Sequence, residues 1–250
     1  MPDQANLHHV FWTGGLDSTA RVIHLLLSAG EEIQPHYIIR SEESTGNEID
    51  AMNNIRRAVS KKYPELRSKL LPTMFINEDL IPRSPGIAAE IKELKKKVKV
   101  HEQLHIMADY CMSSSIDHID ITYERDENIV PGELRVAQFF QVNPAFKCFF
   151  NAHADLTKRA CYDMAVAEGW EYLLNLTSFC RRPRKKGRPC GSCGPCCDAV
   201  KEGMGFRLPF IPRMKARILI PFRQFYRKNY LKHDSSWFFL TVKRCLEHKL

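Results

Sequence analysis

Thr13-Gly14-Gly15-Leu16-Asp17-Ser18-Thr19 gathers three hydroxyls, two glycines and one carboxylate in one short stretch. It follows the apolar run Leu7 to Trp12 and precedes Ala20, Ile23, Leu26 and Leu27, which recur at helical spacing. The stretch therefore reads as a turn from a strand into a helix. A helix start offers unpaired backbone N–H groups and a partial positive charge. Gly14 and Gly15 let the backbone approach an anion with no Cβ in the way. The hydroxyls of Thr13, Ser18 and Thr19 can add donors, and the chemistry these types suit is phosphate binding. Asp17 fits beside a phosphate if it orients the loop or holds Mg2+. The spacing is not that of G-x-x-x-x-G-K-[ST]. The plainer alternative is a Gly-Gly turn that only starts a helix.

A second cluster is Cys180, Cys190, Cys193 and Cys196, spaced C-x9-C-x2-C-x2-C. Four thiolates complete a tetrahedral zinc site, and each C-x2-C step lets two sulfurs of one turn face one ion. Gly191, Gly194 and Pro195 supply turn chemistry. Nearby Arg and Lys side chains favour thiolate over thiol. An iron–sulfur cluster is the competing occupant. Cys197 is left over. Five of the nine cysteines fall between Cys180 and Cys197, which argues for metal ligation rather than disulfides in a cytoplasmic chain.

The elements that must position these residues follow from the pattern. Leu7 to Trp12, Ile33 to Ile39, Leu71 to Ile76, Ile116 to Tyr123 and Phe146 to Phe150 read as strands. Ser18 to Ala29, Glu48 to Tyr63, Ile87 to Lys97, His101 to Ser113 and Thr157 to Glu168 read as helices, with Gly30, Pro64 and Gly169 as stops. Alternating strands and helices imply an α/β fold, a parallel sheet with helices on both faces. Asp155 or Thr157 is the expected N-cap of the helix before Gly169. Glu124 to Gly132 reads as a polar loop, and a last helix is expected around Trp237 to His248. The composition shifts near Gly205. The expected organisation is a domain over 1–206, including a zinc-binding segment over 176–206, and a basic aromatic extension over 207–250.

The loop T-G-G-L-D-S resembles S-G-G-x-D-S, the signature of the PP-loop (N-type) ATP pyrophosphatase superfamily, with Thr13 keeping the hydroxyl of the first serine. Those enzymes split ATP between the α and β phosphates. The resemblance implies a Rossmann-like sheet of the adenine nucleotide alpha hydrolase type. It implies that Thr13, Gly14, Gly15, Leu16, Asp17, Ser18 and Thr19 cradle the pyrophosphate part of ATP with Mg2+. Adenine would lie near Tyr37 to Arg40, against Ile38 and Ile39.

With Leu176 to Cys180, Pro189 to Cys196 and Gly205-Phe206, the chain also resembles the ExsB-like 7-cyano-7-deazaguanine synthase (QueC) family of queuosine biosynthesis. These ligases use ATP and ammonia to turn a carboxylate into a nitrile through an amide. Leu156-Thr157-Lys158 is similar to that family's L-x-K segment. The resemblance thus implies Asp17, Ser18 and Lys158 as catalytic residues and the four cysteines as zinc ligands. The family's D-x-S-G-Y-P-D-C-R segment is missing: Ile121 to Asn128 stands there, so the native substrate is open. Glu124, Asp126 and Glu127 could touch Mg2+ or substrate, although a solvated loop is the favoured reading.

Composition sets the outer limits. A hydrophobic share of 44% and a charged share of 26% over 250 residues are those of a soluble globular chain. No apolar run reaches membrane-span length and Met1 to His9 has no signal pattern. A cytoplasmic protein with no membrane partner is expected. The charge of +8 sits late in the chain. Arg213, Lys215, Arg217, Arg223, Arg227 and Lys228 alternate there with Phe210, Ile218, Phe222, Phe225 and Tyr226. Basic and aromatic residues together can hold nucleic acid. Packing of the aromatics on the core is favoured, and an oligomer interface is the other option. Lys95 to Lys97 reads as a solvated helix face.

The function expected is an adenylating enzyme, taking ATP to AMP and pyrophosphate, that activates a carboxylate or amide of a small molecule for attack by ammonia or another nucleophile. A homo-oligomer is an open option. One alternative is a tRNA sulfur-transfer enzyme on the same scaffold, with Cys197 or Cys148 as spare thiols. The other is a non-catalytic nucleotide-binding module.

Overall fold

A computed structural model describes residues 7–97, 100–122, 140–150 and 156–230. The chain forms two compact units, Met1–Ser178 and Phe179–Leu250. The cysteine segment and the basic helix after Gly205 both belong to the second unit.

The first unit is an α/β layer structure. Its strands are β1 (Leu7–Phe11), β2 (Glu32–Ile39), β3 (Met74–Asn77), β4 (Ile119–Asp120) and β5 (Phe149–Phe150). All pair in parallel, in the order β3-β2-β1-β4-β5. The chain builds outward from β1 to β3, then returns across the sheet to place β4 on the other side of β1. Helices α1 (Leu16–His24), α2 (Thr45–Lys62), α3 (Pro85–Lys95), α4 (Glu102–Ser113), α5 (Lys158–Glu168) and α6 (Glu171–Leu174) flank the sheet. Phe11, Ile38, Ile76, Ile119 and Phe149 pack with α3 and α4 in one apolar cluster. Val10 and Trp12 alternate with Phe11 along β1 and are fully buried, which puts them on the opposite face. Helix α1 packs against α5 and α6, and α2 against α6.

Within the described residues the predicted strands and helices recur; the helix expected to run to Ala29 passes from α1 into a π-helix over Leu25–Ala29, and three strands differ in extent. Strand β3 starts at Met74 because Pro72 has no N–H to give the ladder; Leu70 keeps only an isolated bridge to Ile33. Strand β4 is shorter than expected. Ser115, at φ 52°, turns the chain after α4, and Ile116 still donates back to the Cys111 carbonyl at 2.9 Å. Pro144–Phe146 forms a 3-10 turn rather than strand, so β5 begins at Phe149. The polar loop from Glu124, the cap candidate Asp155 and the helix expected near Trp237 lie outside the described residues. Thr157 caps α5, its Oγ1 accepting from Ala160 N at 3.1 Å, and Gly169 ends it in the left-handed region.

In the second unit, α7 (Gly194–Lys201) follows the cysteine loop, and α8 (Phe210–Tyr230) is a continuous helix despite Pro212 and Pro221. Gly191 has φ +75°, and a Cβ there would collide with the Pro212 backbone, so the cysteine loop and the start of α8 meet at van der Waals distance. Arg223 closes the same contact, donating to the Ser192 carbonyl at 2.6 Å. Arg213 donates to Leu208 O at 3.2 Å. The favoured packing of the tail's aromatics is corrected: Ala216 and Leu219 are buried, whereas Phe210, Phe222 and Phe225 are exposed. Small Ala216 admits the close approach; the bulky rings stand on another face of α8. No helix of the described residues is long and apolar enough to cross a membrane.

Candidate functional site

The turn between β1 and α1 is held from three sides. Trp12 N donates to His36 O at 2.9 Å, which extends the β1–β2 ladder one residue past β1. The Trp12 ring is fully buried, its Nε1 donates to Thr19 Oγ1 at 3.0 Å, and the Arg56 guanidinium stands 5.2 Å from its ring centre. The chain then turns sharply at Gly14, which has φ +65°. A Cβ there would stand 2.6 Å from Glu48 O and 3.2 Å from Met52 Cγ. Glycine is required twice over, by conformation and by the closeness of α2. From the third side, Ser178 N donates to Gly14 O at 2.9 Å.

Thr13 and Ser18 brace the turn internally. Their hydroxyls lie 3.2 Å apart, Gly15 N donates to Thr13 Oγ1 at 3.3 Å and Thr13 N donates to Ser18 Oγ at 3.3 Å. Gly15 is the N-cap of α1, and no side chain of the described residues caps that helix. Its first-turn N–H groups face the turn, which is the arrangement that holds an anion. Of the seven residues from Thr13 to Thr19, two serve by backbone or support alone. Leu16 is buried, and the buried Thr19 hydroxyl is committed to Trp12.

Lys158 joins this cluster from far along the chain. It is the first residue of α5, and its Nζ stands 3.6 Å from Asp17 Oδ2, both side chains about three-quarters buried (23% and 26% exposed). Two helix N-termini and one ammonium thus surround the turn, with Asp17 between them. Lys158, 141 positions from Asp17 in sequence, is brought beside it, while Ser18 is Asp17's chain neighbour in α1.

Ile38 and Ile39 end β2, on the same carboxyl edge of the sheet. Ile38 packs into the α3–α4 cluster and Ile39 pairs with Asn77. Just beyond them lies a cavity of about 400 Å³ whose lining includes Arg40, Glu78, Arg83 and Glu102. Arg40 pairs with Glu78 at 3.1 Å, and Arg83 with the fully buried Asp109 at 3.2 Å. Next to β1, Arg21 Nε donates to Asp120 Oδ2 at 2.6 Å, fixing α1 to the end of β4. Sequence reasoning did not single out Ser178, Glu48, Arg21 or Asp120. Ser178 lies in the stretch Leu176 to Cys180 that had attracted notice, but nothing in its type reveals a backbone tie to Gly14. Glu124, Asp126 and Glu127 lie outside the described residues.

In the second unit the four predicted cysteines converge. The sulfurs of Cys180, Cys190, Cys193 and Cys196 all lie within 4.8 Å of one another. Cys180 and Cys193 are 3.8 Å apart, and Cys190 and Cys196 are 4.0 Å apart. Sulfurs at the corners of a zinc tetrahedron stand about 3.8 Å apart, given Zn–S bonds near 2.3 Å. Backbone N–H groups point at the sulfurs: Cys190 N to Cys180 Sγ at 3.2 Å, and Ser192 N and Cys193 N to Cys190 Sγ at 3.3 Å each. Hydrogen bonding from Cys180 holds the Cys190 and Cys193 thiols below their usual range, Cys193 at about 6. The cluster could hold a metal such as zinc. Cys197 stands apart: it is fully buried, and burial pushes its thiol up.

A scan against protein-family models finds no match for this chain, and a search of curated proteins finds no relative.

Proposed function

We propose that this chain is an ATP-dependent adenylating enzyme of the PP-loop type, with a Rossmann-like sheet, similar in chemistry to the 7-cyano-7-deazaguanine synthases. The observation that carries the reading is the uncapped start of α1, entered through the Gly14 turn. It stands at the carboxyl end of β1, where the strand order reverses between β2 and β4. Open α/β sheets bind ligands at that switch point.

The steps follow from the residues. The α1 N–H groups and the Thr13 and Ser18 hydroxyls hold the β and γ phosphates of ATP. An oxygen of the acceptor carboxylate or amide attacks the α-phosphorus, the bond from that phosphorus to the bridging oxygen breaks, and pyrophosphate leaves. Lys158 and the helix start stabilise the negative charge that grows on the departing group. Asp17 orients Lys158 and is the residue suited to hold Mg2+, which would neutralise phosphate charge. Ammonia or another nucleophile then displaces AMP. Positioning supplies much of the acceleration, since no general base is evident among the described residues.

The cavity beside Arg40 and Arg83 is suited to the nucleoside or to an anionic acceptor. Zinc fits the four cysteines, and with four protein ligands the site is structural rather than catalytic. We place the enzyme in the cytoplasm, with a small-molecule carboxylate or amide as acceptor. For a sulfur-transfer role the buried Cys197 is poorly suited to nucleophilic chemistry, and the other spare thiol, Cys148, is half-buried against the α3–α4 cluster. The test is pyrophosphate release from ATP in the presence of candidate carboxylates, with and without ammonium. Release that persists in full in Asp17→Ala would sink this assignment.

A further inference from the structure

Between Cys180 and Cys190 stand six Lys and Arg, two prolines, one glycine and no acid. This stretch is a small hairpin. Its base is closed at the cysteine cluster, where Cys190 N donates to Cys180 Sγ at 3.2 Å and both cysteines are buried. Higher up, Arg184 N donates to Arg188 O at 2.8 Å in an antiparallel bridge. Lys185–Gly187 forms a 3-10 turn, and Gly187 at φ 69° reverses the chain at the tip. Pro183 and Pro189 fix φ on the two arms, so the hairpin has less freedom to lose when it binds.

Arg184 and Arg188 stand directly opposite each other, which sends both side chains to one side of the hairpin. Like charges so placed are destabilising, so folding gains nothing from the pair. Both are exposed, as are Arg181 and Lys185. Among the described residues none of these four side chains has a hydrogen bond or an ion pair. The nearest acids in the chain are Glu171 and Asp198, and Asp198 is held by Lys201 at 3.3 Å.

Charge without apolar surface selects the partner. An acidic protein segment would gain only exposed ion pairs, each worth little in water, and no large apolar side chain between Cys180 and Cys190 offers it an anchor. A lipid interface needs side chains that enter the acyl boundary, and the same lack tells against it. A polynucleotide supplies a dense row of phosphates, whose condensed counterions are released when protein cations replace them. Binding by charge alone therefore suits a phosphate backbone, and each guanidinium can hold two oxygens of one phosphate. No aromatic ring stands between the two cysteines, so the contact is to backbone and not to bases.

We infer that the Cys180–Cys190 hairpin is a sequence-independent binding site for the phosphate backbone of a nucleic acid, with Arg181, Arg184, Lys185 and Arg188 as its contacts. The site is separate from the basic residues after Gly205, and it does not depend on the adenylation reading.

The test is fluorescence polarisation of the full-length protein with labelled duplex DNA and duplex RNA, each in two unrelated sequences. Binding is expected at about 50 mM salt, equal for the two sequences, and weaker by about 10²-fold at about 200 mM, as four phosphate contacts require. Binding to either duplex supports the proposal, and the tighter of the two names the source. Arg184→Gln with Arg188→Gln should weaken binding at least about tenfold at low salt and lower the salt slope by about two. The unfolding midpoint should hold or rise slightly, since the opposed charges are gone; a purely structural pair would lower it. Arg181→Gln with Lys185→Gln, outside the bridge, repeats the loss if the first pair disturbs the fold. Arg184→Lys with Arg188→Lys should keep the slope. Lys96→Gln with Lys97→Gln, an equal loss of charge on another exposed stretch, should change nothing. The proposal is overturned if neither duplex binds at low salt, if the hairpin variants bind as the wild type does, or if the Lys96 and Lys97 pair weakens binding as much. A strong preference for one sequence overturns it too. So does equally tight binding of polyglutamate or phosphatidylglycerol vesicles with the same dependence on Arg184 and Arg188.

Discussion

Lys158 Nζ stands 3.6 Å from Asp17 Oδ2, joining the first turn of α5 to the first turn of α1. The pair places a fixed positive charge beside two helix N-termini, where phosphate charge would build during pyrophosphate departure. Lys158→Met and Asp17→Asn should each lower the rate of pyrophosphate release by about 10²–10³-fold while leaving the unfolding midpoint nearly unchanged. Lys158→Arg should recover part of the rate. Equal activity in wild type and Lys158→Met would remove the lysine from the chemistry.

Gly14 is the position where conformation and packing coincide. Alanine there meets a left-handed backbone and a contact of 2.6 Å with Glu48 O, so Gly14→Ala should cost about 2–4 kcal/mol. Urea unfolding measures it. Gly46, in the first turn of α2 with nothing within 4 Å of its Cβ position, is the control: Gly46→Ala should leave stability unchanged or raise it by up to about 1 kcal/mol.

A chain of hydrogen bonds runs from half-buried His9 Nδ1 to His36 Nε2 at 2.8 Å and from buried His36 Nδ1 to Tyr110 Oη at 2.7 Å. Burial, then the neighbouring His9, pushes His36 from 6.5 down to about 4. The unfolded chain therefore binds the proton more readily between those values. The stabilisation is complete above pH 6.5 and is lost as the pH falls towards 4, by at most about 3 kcal/mol. Urea midpoints across that range should fall more steeply in the wild type than in His36→Gln. Parallel curves would show that His36 does not titrate this way.

Metal analysis should find about one zinc per chain. Cys190→Ser should lose it, since Cys190 is both a ligand candidate and the acceptor of two backbone N–H groups. Cys197→Ser should retain it. Chelation should make the second unit sensitive to protease before the first. Stoichiometric iron with a brown colour would replace zinc by an iron–sulfur cluster.

The elements that position the turn were legible because their signals are local. Val10 and Trp12 alternate with Phe11, and Gly14-Gly15 breaks the strand at the point where α1 begins. The four sulfurs were legible because ligand spacing is itself a local signal. What escaped was non-local or masked by a stronger local rule. Ser178 reaches Gly14 through a backbone bond that any residue type could make. Arg21 and Asp120 sit 99 positions apart, and either could have been a surface charge. Helix α8 was hidden by Pro212 and Pro221: the first sits in the opening turn, where no N–H partner is lost, and the second is tolerated on an exposed face.

The most direct test of the central claim is the fate of ATP itself. ATP, Mg2+, ammonium and a panel of small carboxylates should be incubated with the full-length protein, and the nucleotide products resolved by chromatography. AMP and pyrophosphate are expected in equal amounts, dependent on one class of carboxylate and lost in Asp17→Ala. ADP and inorganic phosphate as the products, or ATP left whole with every acceptor, would contradict it.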